Sequence, residues 1–295
     1  MKTSIKQKKL SGKVKNNMLQ RAITGTVYVA AIVTSVYFGG WYLHILFGII
    51  ALLMLQEFAV MFKKSEFSPN AILGPIVGFL LYILGVYMLT GSHEEVETPK
   101  WVPLLIGSII AFSWLAIAEL FRNKKNPFVN LAITFSSIIY IVVPLLLINL
   151  MSIHGEAQES VFPLLGIFIM IWCSDTFAYL VGRKIGKHKM FERISPKKSW
   201  EGFFGGMTFA MIAGLVIAYF VDEQPYIQYA IIGMLAAVFG TLGDLIESML
   251  KRSLNLKDSG TILPGHGGLL DRLDSVLVVI PVIFVFQLIS FYYFA

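Results

Sequence analysis

Charge is the scarcest commodity in this sequence: Asp, Glu, Lys and Arg make up 14% of its 295 residues. An ordinary soluble domain carries about 25%, so a surface built mainly for water is excluded. Cysteine is nearly missing, with Cys173 alone, which excludes a disulfide framework and a thiolate metal cluster. There is no internal repeat, no low-complexity tract and no second soluble domain. The basic, polar stretch Met1 to Arg21 lacks the short apolar core and small-residue cleavage site of a secretory signal, and it is expected to be retained.

What is present is apolar. Hydrophobic residues reach 56% and the mean hydropathy is +0.73. Runs of the roughly 20 residues needed to cross a bilayer recur along nearly the whole chain. The fold class is therefore all-α: a polytopic integral membrane protein of about nine transmembrane helices. The spans are placed near 22–39, 41–62, 71–91, 101–121, 128–151, 162–182, 203–221, 226–250 and 275–294, the first two separated at Gly39-Gly40, where a tight reversal is sterically cheap. As regions these give a basic tail (1–21), N-terminal helices (22–151) and a C-terminal catalytic region (152–295) within one membrane domain.

Positive charge orients such a bundle. With the N-terminus cytoplasmic and the C-terminus on the opposite side, every Lys and Arg except Lys100 falls on the cytoplasmic face. The acidic residues Glu94, Glu95, Glu97, Glu156, Glu159, Asp222 and Glu223 fall on the other. The net charge of +6 follows from this topology and implies no nucleic-acid partner; the tail fixes orientation or touches anionic headgroups.

The remaining charge is concentrated. Ser248 to Asp274 reads SMLKRSLNLKDSGTILPGHGGLLDRLD, a mixture of cations, carboxylates and glycines that suits a polyanionic, metal-bound substrate. Upstream, Asp244, Glu247, Ser248 and Lys251 recur at i, i+3, i+4 and i+7 and share one helical face, while Leu245, Ile246, Met249 and Leu250 point elsewhere. A carboxylate at the bilayer edge is expensive and faces a polar site or a partner. The Pro264-Gly265-His266-Gly267-Gly268 turn has little side-chain bulk, so its amides can approach a phosphate; such turns are common, and His266 taken alone reads as a solvated loop histidine. Asp271 is favoured as an oxygen ligand of the kind Mg²⁺ takes. Asp274 has an equally good reading as an ordinary helix-start acid.

A third element lies between the sixth and seventh spans. Asp175 sits in an apolar helix and precedes Ser195-Pro196-Lys197-Lys198-Ser199-Trp200-Glu201-Gly202. Ser195 followed by Pro196 reads as an N-cap with proline at the first helical position. Lys197 and Lys198 would then stand in a first turn, unfavourable unless an anion shares the place. Glu57 and Glu119, near inner span ends, are left unassigned.

The run from Ser248-x-Leu250-Lys251-Arg252 through Lys257-Asp258-x-Gly260 to Leu263-Pro264-x-His266-Gly267-Gly268-Leu269-x-Asp271-Arg272-Leu273-Asp274 resembles, without departure, the full signature of the phosphatidate cytidylyltransferases, also called CDP-diacylglycerol synthases. The upstream SPKKSWEG and SDT segments look like that family too, so the resemblance covers the C-terminal half closely and the N-terminal half mainly in hydropathy. It implies reaction of CTP with phosphatidic acid to give CDP-diacylglycerol and pyrophosphate, in a bacterial-type inner membrane with the site on its cytoplasmic face. It also implies Mg²⁺, K⁺ beside it, and a homodimer. By position, Asp244 and Asp271 correspond to the family's metal ligands, and Ser248, Lys251 and Asp274 match residues of the same site.

Asp244, Lys251, Asp271 and Asp274 are thus the expected catalytic set. Ser195, Lys197, Lys198, Ser199, Ser248, Arg252, Lys257, His266, Gly267, Gly268 and Arg272 are expected to bind CTP, phosphatidic acid or membrane lipid, with Asp175, Glu247 and Asp258 as further candidates. The nearest rival is a CTP-dependent lipid kinase of the polyprenol or phytol type. A CDP-alcohol phosphotransferase lacks its paired Asp-Gly/Ala-Arg run here. A transporter would place its polar residues near mid-membrane, whereas these charges collect at one face.

Overall fold

In a computed structural model the chain is described at residues 2–90, 99, 101–153, 161–221, 226–265 and 267–294. Among these residues nine helices are long and apolar enough to cross a bilayer: α1 (Lys2–Phe38), α2 (Gly40–Met61), α3 (Leu73–Thr90), α4 (Trp101–Arg122), α5 (Pro127–Ile153), α6 (Val161–Ile185), α7 (Trp200–Phe220), α8 (Tyr226–Ser253) and α9 (Leu270–Phe294). The shortest has 18 residues, about 27 Å at 1.5 Å per residue, close to the hydrocarbon thickness. A small antiparallel pair, β1 (Lys189–Phe191) and β2 (Ser195–Ser199), joins α6 to α7.

The expected reversal between the first two helices is present. Gly39 and Gly40 take φ of 59° and 47°, a left-handed conformation that L side chains rarely adopt. Two boundaries differ from expectation. The membrane-spanning part of α1 is Gln20–Phe38, but the helix already begins at Lys2, so the stretch read as a polar tail continues it. α9 begins at Leu270 rather than near 275, which puts Asp271, Arg272 and Asp274 in its first turns. The acidic loop residues Glu94, Glu95, Glu97, Glu156, Glu159, Asp222 and Glu223, together with Lys100 and His266, lie outside the described residues.

Helices α2, α3 and α5 pack together with α4 at their edge, α6, α7 and α8 form a second group, and α9 packs against α5 and α8 between them. Phe47 and Met54 of α2, Ile141 and Leu145 of α5, Phe168 of α6, and Leu273 and Ile280 of α9 are fully enclosed where the groups meet. The second group is close because its contact residues are small. A Cβ on Gly214 would overlap the Tyr229 carbonyl, and one on Gly206 would come within 2.6 Å of the Ser174 carbonyl. Small residues of this kind bring helix backbones together where lipid removes the hydrophobic incentive.

Candidate active site

The clustered charges of the sequence meet where the ends of α6 and α8 face the starts of α7 and α9. α8 stops because Asn255 adopts the left-handed conformation (φ 56°), with the Leu256 amide donating to the Lys251 carbonyl and the Asn255 amide to that of Arg252. That double closure satisfies the last free carbonyls of the helix. It turns the chain back toward α9 and fixes the polar face of α8 inward: Glu247, Ser248 and Lys251 are buried, Asp244 is half-buried, and Ile246 and Met249 are exposed on the other side. The shared face expected from the spacing is present.

Lys251 is the centre of the first cluster. Its Nζ reaches Asp271 Oδ1 at 2.5 Å and also pairs with Glu247. Asp271 Oδ2 accepts the amides of Ser259 at 3.0 Å and Gly268 at 2.9 Å. Behind this loop stands Glu57 of α2, 4% exposed. Its Oε1 accepts the Ser259 hydroxyl at 3.0 Å, and its Oε2 accepts the amides of Leu269 and Leu270 at 2.8 and 3.0 Å. Glu57 therefore caps α9 from a different helix, placing a carboxylate against the positive end of the helix dipole. Gly268 is buried with no room for a side chain, since a Cβ there would overlap the Glu57 carboxylate. Its amide, expected to face a phosphate, is given to Asp271.

The second cluster is open. A cavity of about 640 Å³ is walled by α6, the β1–β2 hairpin, α7 and α8. Asp175, Lys197, Lys198, Ser195, Ser199 and Asp244 all line it, joined by Arg183 and Lys189, which by sequence alone look like ordinary membrane-edge cations. Lys198 Nζ contacts Asp244 Oδ2 at 2.9 Å and donates to the Thr241 carbonyl at 3.2 Å. Ser248 donates to Asp244 Oδ1 at 3.0 Å. Asp175, within the apolar helix α6 as expected, is exposed on this wall.

One local expectation is corrected here. Ser195 and Pro196 do not start a helix; they begin strand β2. The cap is Ser199, whose hydroxyl accepts the Gly202 amide at 3.2 Å, and the helix opens at Trp200. Lys197 and Lys198 thus precede the helix rather than occupying its first turn. That turn carries Glu201, whose carboxylate accepts the amides of Lys187 and His188 and meets the His188 ring at 2.6 Å. With the Trp200 amide donating to the His188 carbonyl at 2.9 Å, these bonds fold the hairpin back onto α7 and hold Lys198 over Asp244.

The remaining candidates are less engaged. Arg252 is exposed and donates to the Leu256 carbonyl at 2.7 Å, so it braces the turn after α8. Lys257 and Asp258 are exposed. The Arg272 carbonyl accepts the Tyr28 hydroxyl at 3.3 Å, and the Pro264 carbonyl accepts that of Thr24 at 3.2 Å, so α1 covers this edge. Glu119 lies apart, buried with Asn130 at 3.0 Å and Arg122 at 2.5 Å, and ties α4 to α5.

Asp274 faces the charges of Asp244, Glu247 and Asp175; among the described residues Lys198 pairs with Asp244, and Lys251 with Glu247 and Asp271. Glu247 is 1% exposed, and neither of its oxygens has a well-aligned hydrogen bond; the buried Tyr140 hydroxyl nearby also lacks one. Among the described residues no three Asp, Glu, His or Cys side chains form a ready-made metal cage. Asp244 and Asp271 are hard oxygen donors, the ligand type that Mg²⁺ takes one or two at a time with substrate phosphates completing its shell.

Carboxylates and lysines thus gather around a cavity at one edge of a helical bundle of membrane-spanning length, a lining suited to anionic ligands. Residues 19–290 match the model of the cytidylyltransferase family, and the chain belongs to that family. It is 31% identical over 281 residues to the phosphatidate cytidylyltransferase of Haemophilus influenzae, covering 89% of this chain and 96% of that one. With the enzyme of the same name from Staphylococcus aureus strain COL it shares 33% over 269 residues, covering 90% and 97%. With that of Staphylococcus saprophyticus it shares 35% over 239 residues, covering 80% and 89%. The lipid-kinase alternative finds no support among these relatives.

Proposed function

We propose that this chain transfers the cytidylyl group of CTP to phosphatidic acid, releasing pyrophosphate and forming CDP-diacylglycerol for phospholipid synthesis. The observation that carries the reading is the adjacency of a cation-rimmed cavity, ending at the Lys198–Asp244 pair, to the loop that holds Asp271 against Lys251. We place this edge on the cytoplasmic face of the bacterial inner membrane, in a homodimer. A phosphate oxygen of phosphatidic acid forms a bond to the α-phosphorus of CTP as the bond to the bridging oxygen of the β-phosphate breaks. Both reactants are anionic, so the chain's work is to cancel charge and align the reacting atoms.

Lys197, Lys198 and Ser199 hold phosphates from the hairpin side, and Lys251 does so from α8. Ser195, Ser248, Arg252, Lys257, His266, Gly267 and Arg272 extend the binding surface, with Asp175, Glu247 and Asp258 in support, while Gly268 serves from behind it by giving its amide to Asp271. The phosphatidic acid phosphate is already largely ionised near neutral pH, its second pKa being about 6, so no strong general base is required. Asp244 and Asp271 hold Mg²⁺, which supplies neutralisation of triphosphate charge when bound. Asp244 faces the cavity, and Asp271 Oδ1 accepts from Lys251 and has acceptor capacity left, since a carboxylate oxygen carries two lone-pair sites. Glu247 and the Tyr140 hydroxyl offer oxygens for K⁺ beside it. Asp274 tunes the same carboxylate group.

Label in CTP tests the reading. Incubation of the purified protein with phosphatidic acid should move α-phosphate label into lipid and γ-phosphate label into pyrophosphate. Entry of the γ-label into lipid would contradict it.

A further inference from the structure

We infer that Glu57 is a positioning residue for the transfer reaction, acting from α2 through the start of α9 on Asp271. The inference rests on the reading of Asp271 as part of the catalytic site. Ser259 divides its two donors between two carboxylates: its hydroxyl goes to Glu57 and its amide to Asp271 Oδ2. The Leu269 and Leu270 amides taken by Glu57 immediately precede Asp271 in the chain, and Gly268 gives its amide to Asp271. The loop therefore lies clamped between one carboxylate that faces the site and one that does not. Gly260 and Gly268 both press against the Glu57 side chain so closely that neither could carry a Cβ without overlap.

A shift of Glu57 would pass through Ser259 and the first α9 amides to Asp271, and from Asp271 Oδ1 to Lys251. A carboxylate holding only two helices together would not need such a link to the site. The chain contains that ordinary case for comparison: Glu119 is equally buried, at 5% exposure, and it bonds to Arg122 and Asn130, the latter going on to Lys125 and Ser68.

The test uses the full-length protein purified in detergent, with kcat, KM for CTP, thermal unfolding and amide exchange measured on Glu57→Gln, Ser259→Ala, the double variant, Glu119→Gln and Asp271→Asn. Glu57→Gln should lower kcat about tenfold to a hundredfold, the scale of a small misplacement of reacting groups, with KM for CTP changed less than about twofold. Exchange should rise over residues 257–270 and stay unchanged in α6 and α7. Ser259→Ala should show a milder version, and the double variant should be no worse than Glu57→Gln, because both break one link. Glu119→Gln should lower the unfolding temperature without changing kcat. Should Glu57→Gln fail to fold, Ser259→Ala decides alone, by a fall in kcat with faster exchange confined to that loop or by neither. Unchanged kcat in folded Glu57→Gln, or a fall matched by a bundle-wide rise in exchange, would overturn the proposal while an inactive Asp271→Asn left the catalytic reading intact. Wild-type turnover in Asp271→Asn would sink both.

Discussion

Two groups of charge share one end of this bundle and are built on opposite terms. Around Lys251 the donors and acceptors are largely committed: Asp271 takes a lysine and two amides, Glu57 takes a hydroxyl and two amides, and the glycines between them have no space to spare. Around Lys198 the groups line an open cavity, Asp175 is exposed, and Asp244 holds its lysine at a half-open edge. A committed network fixes geometry and tolerates little, because any removed partner leaves a buried group unpaired. An open one can exchange its protein partner for a ligand. The division suggests a rigid frame that presents Asp271 and Lys251 and a receptive wall that takes up phosphates.

The contrast breaks first, if it breaks, at the committed cluster. Asp271→Asn should lower turnover by a hundredfold to a thousandfold, on the order expected when a preorganised electrostatic contact is lost, in protein that still elutes as a folded species from a sizing column. Lys251→Ala should act on stability as well as turnover. It leaves Glu247 and Asp271 without their shared cation, and removal of one partner of a buried pair costs about 3–5 kcal/mol, measurable by thermal unfolding. On the open side, Lys198→Ala should raise KM for CTP or phosphatidic acid about tenfold with the unfolding temperature nearly unchanged, because its side chain is only half-enclosed. Ser199→Ala removes the cap of α7 and should cost about 1 kcal/mol, again read by unfolding. The smallest effect belongs to Lys187→Ala: its side chain is exposed and only its backbone amide is used, so stability should change by less than about 0.5 kcal/mol.

The sequence made local features easier to read than those set by contacts between distant segments. Nine spans follow from length and apolarity, the Gly39-Gly40 reversal follows from steric permission, and the inward face of α8 follows from helical spacing, all local properties. Glu57 has no local sign of its role because its partners Ser259, Leu269 and Leu270 lie more than two hundred positions along the chain. The available signal was a carboxylate in an apolar helix with no local counter-ion, a costly placement that asks for a polar partner. The true start of α7 is hidden for a related reason. Ser199 offers an equally good cap four residues after Ser195, and what selects it is the clasp of Glu201 and Trp200 on His188, a contact that residue preference does not encode. Arg183 and Lys189 read as ordinary membrane-edge cations until the fold set them around one cavity.

The central claim is that phosphates are received at the open carboxylate and transferred beside the closed one. The most direct measurement is CTP-dependent formation of CDP-diacylglycerol by purified Asp244→Asn, with Mg²⁺ titrated and unfolding followed in parallel. The account predicts a folded protein with an unchanged unfolding temperature whose turnover is nearly abolished at every Mg²⁺ concentration. Turnover close to that of the unaltered chain, with an unaltered Mg²⁺ requirement, would contradict it.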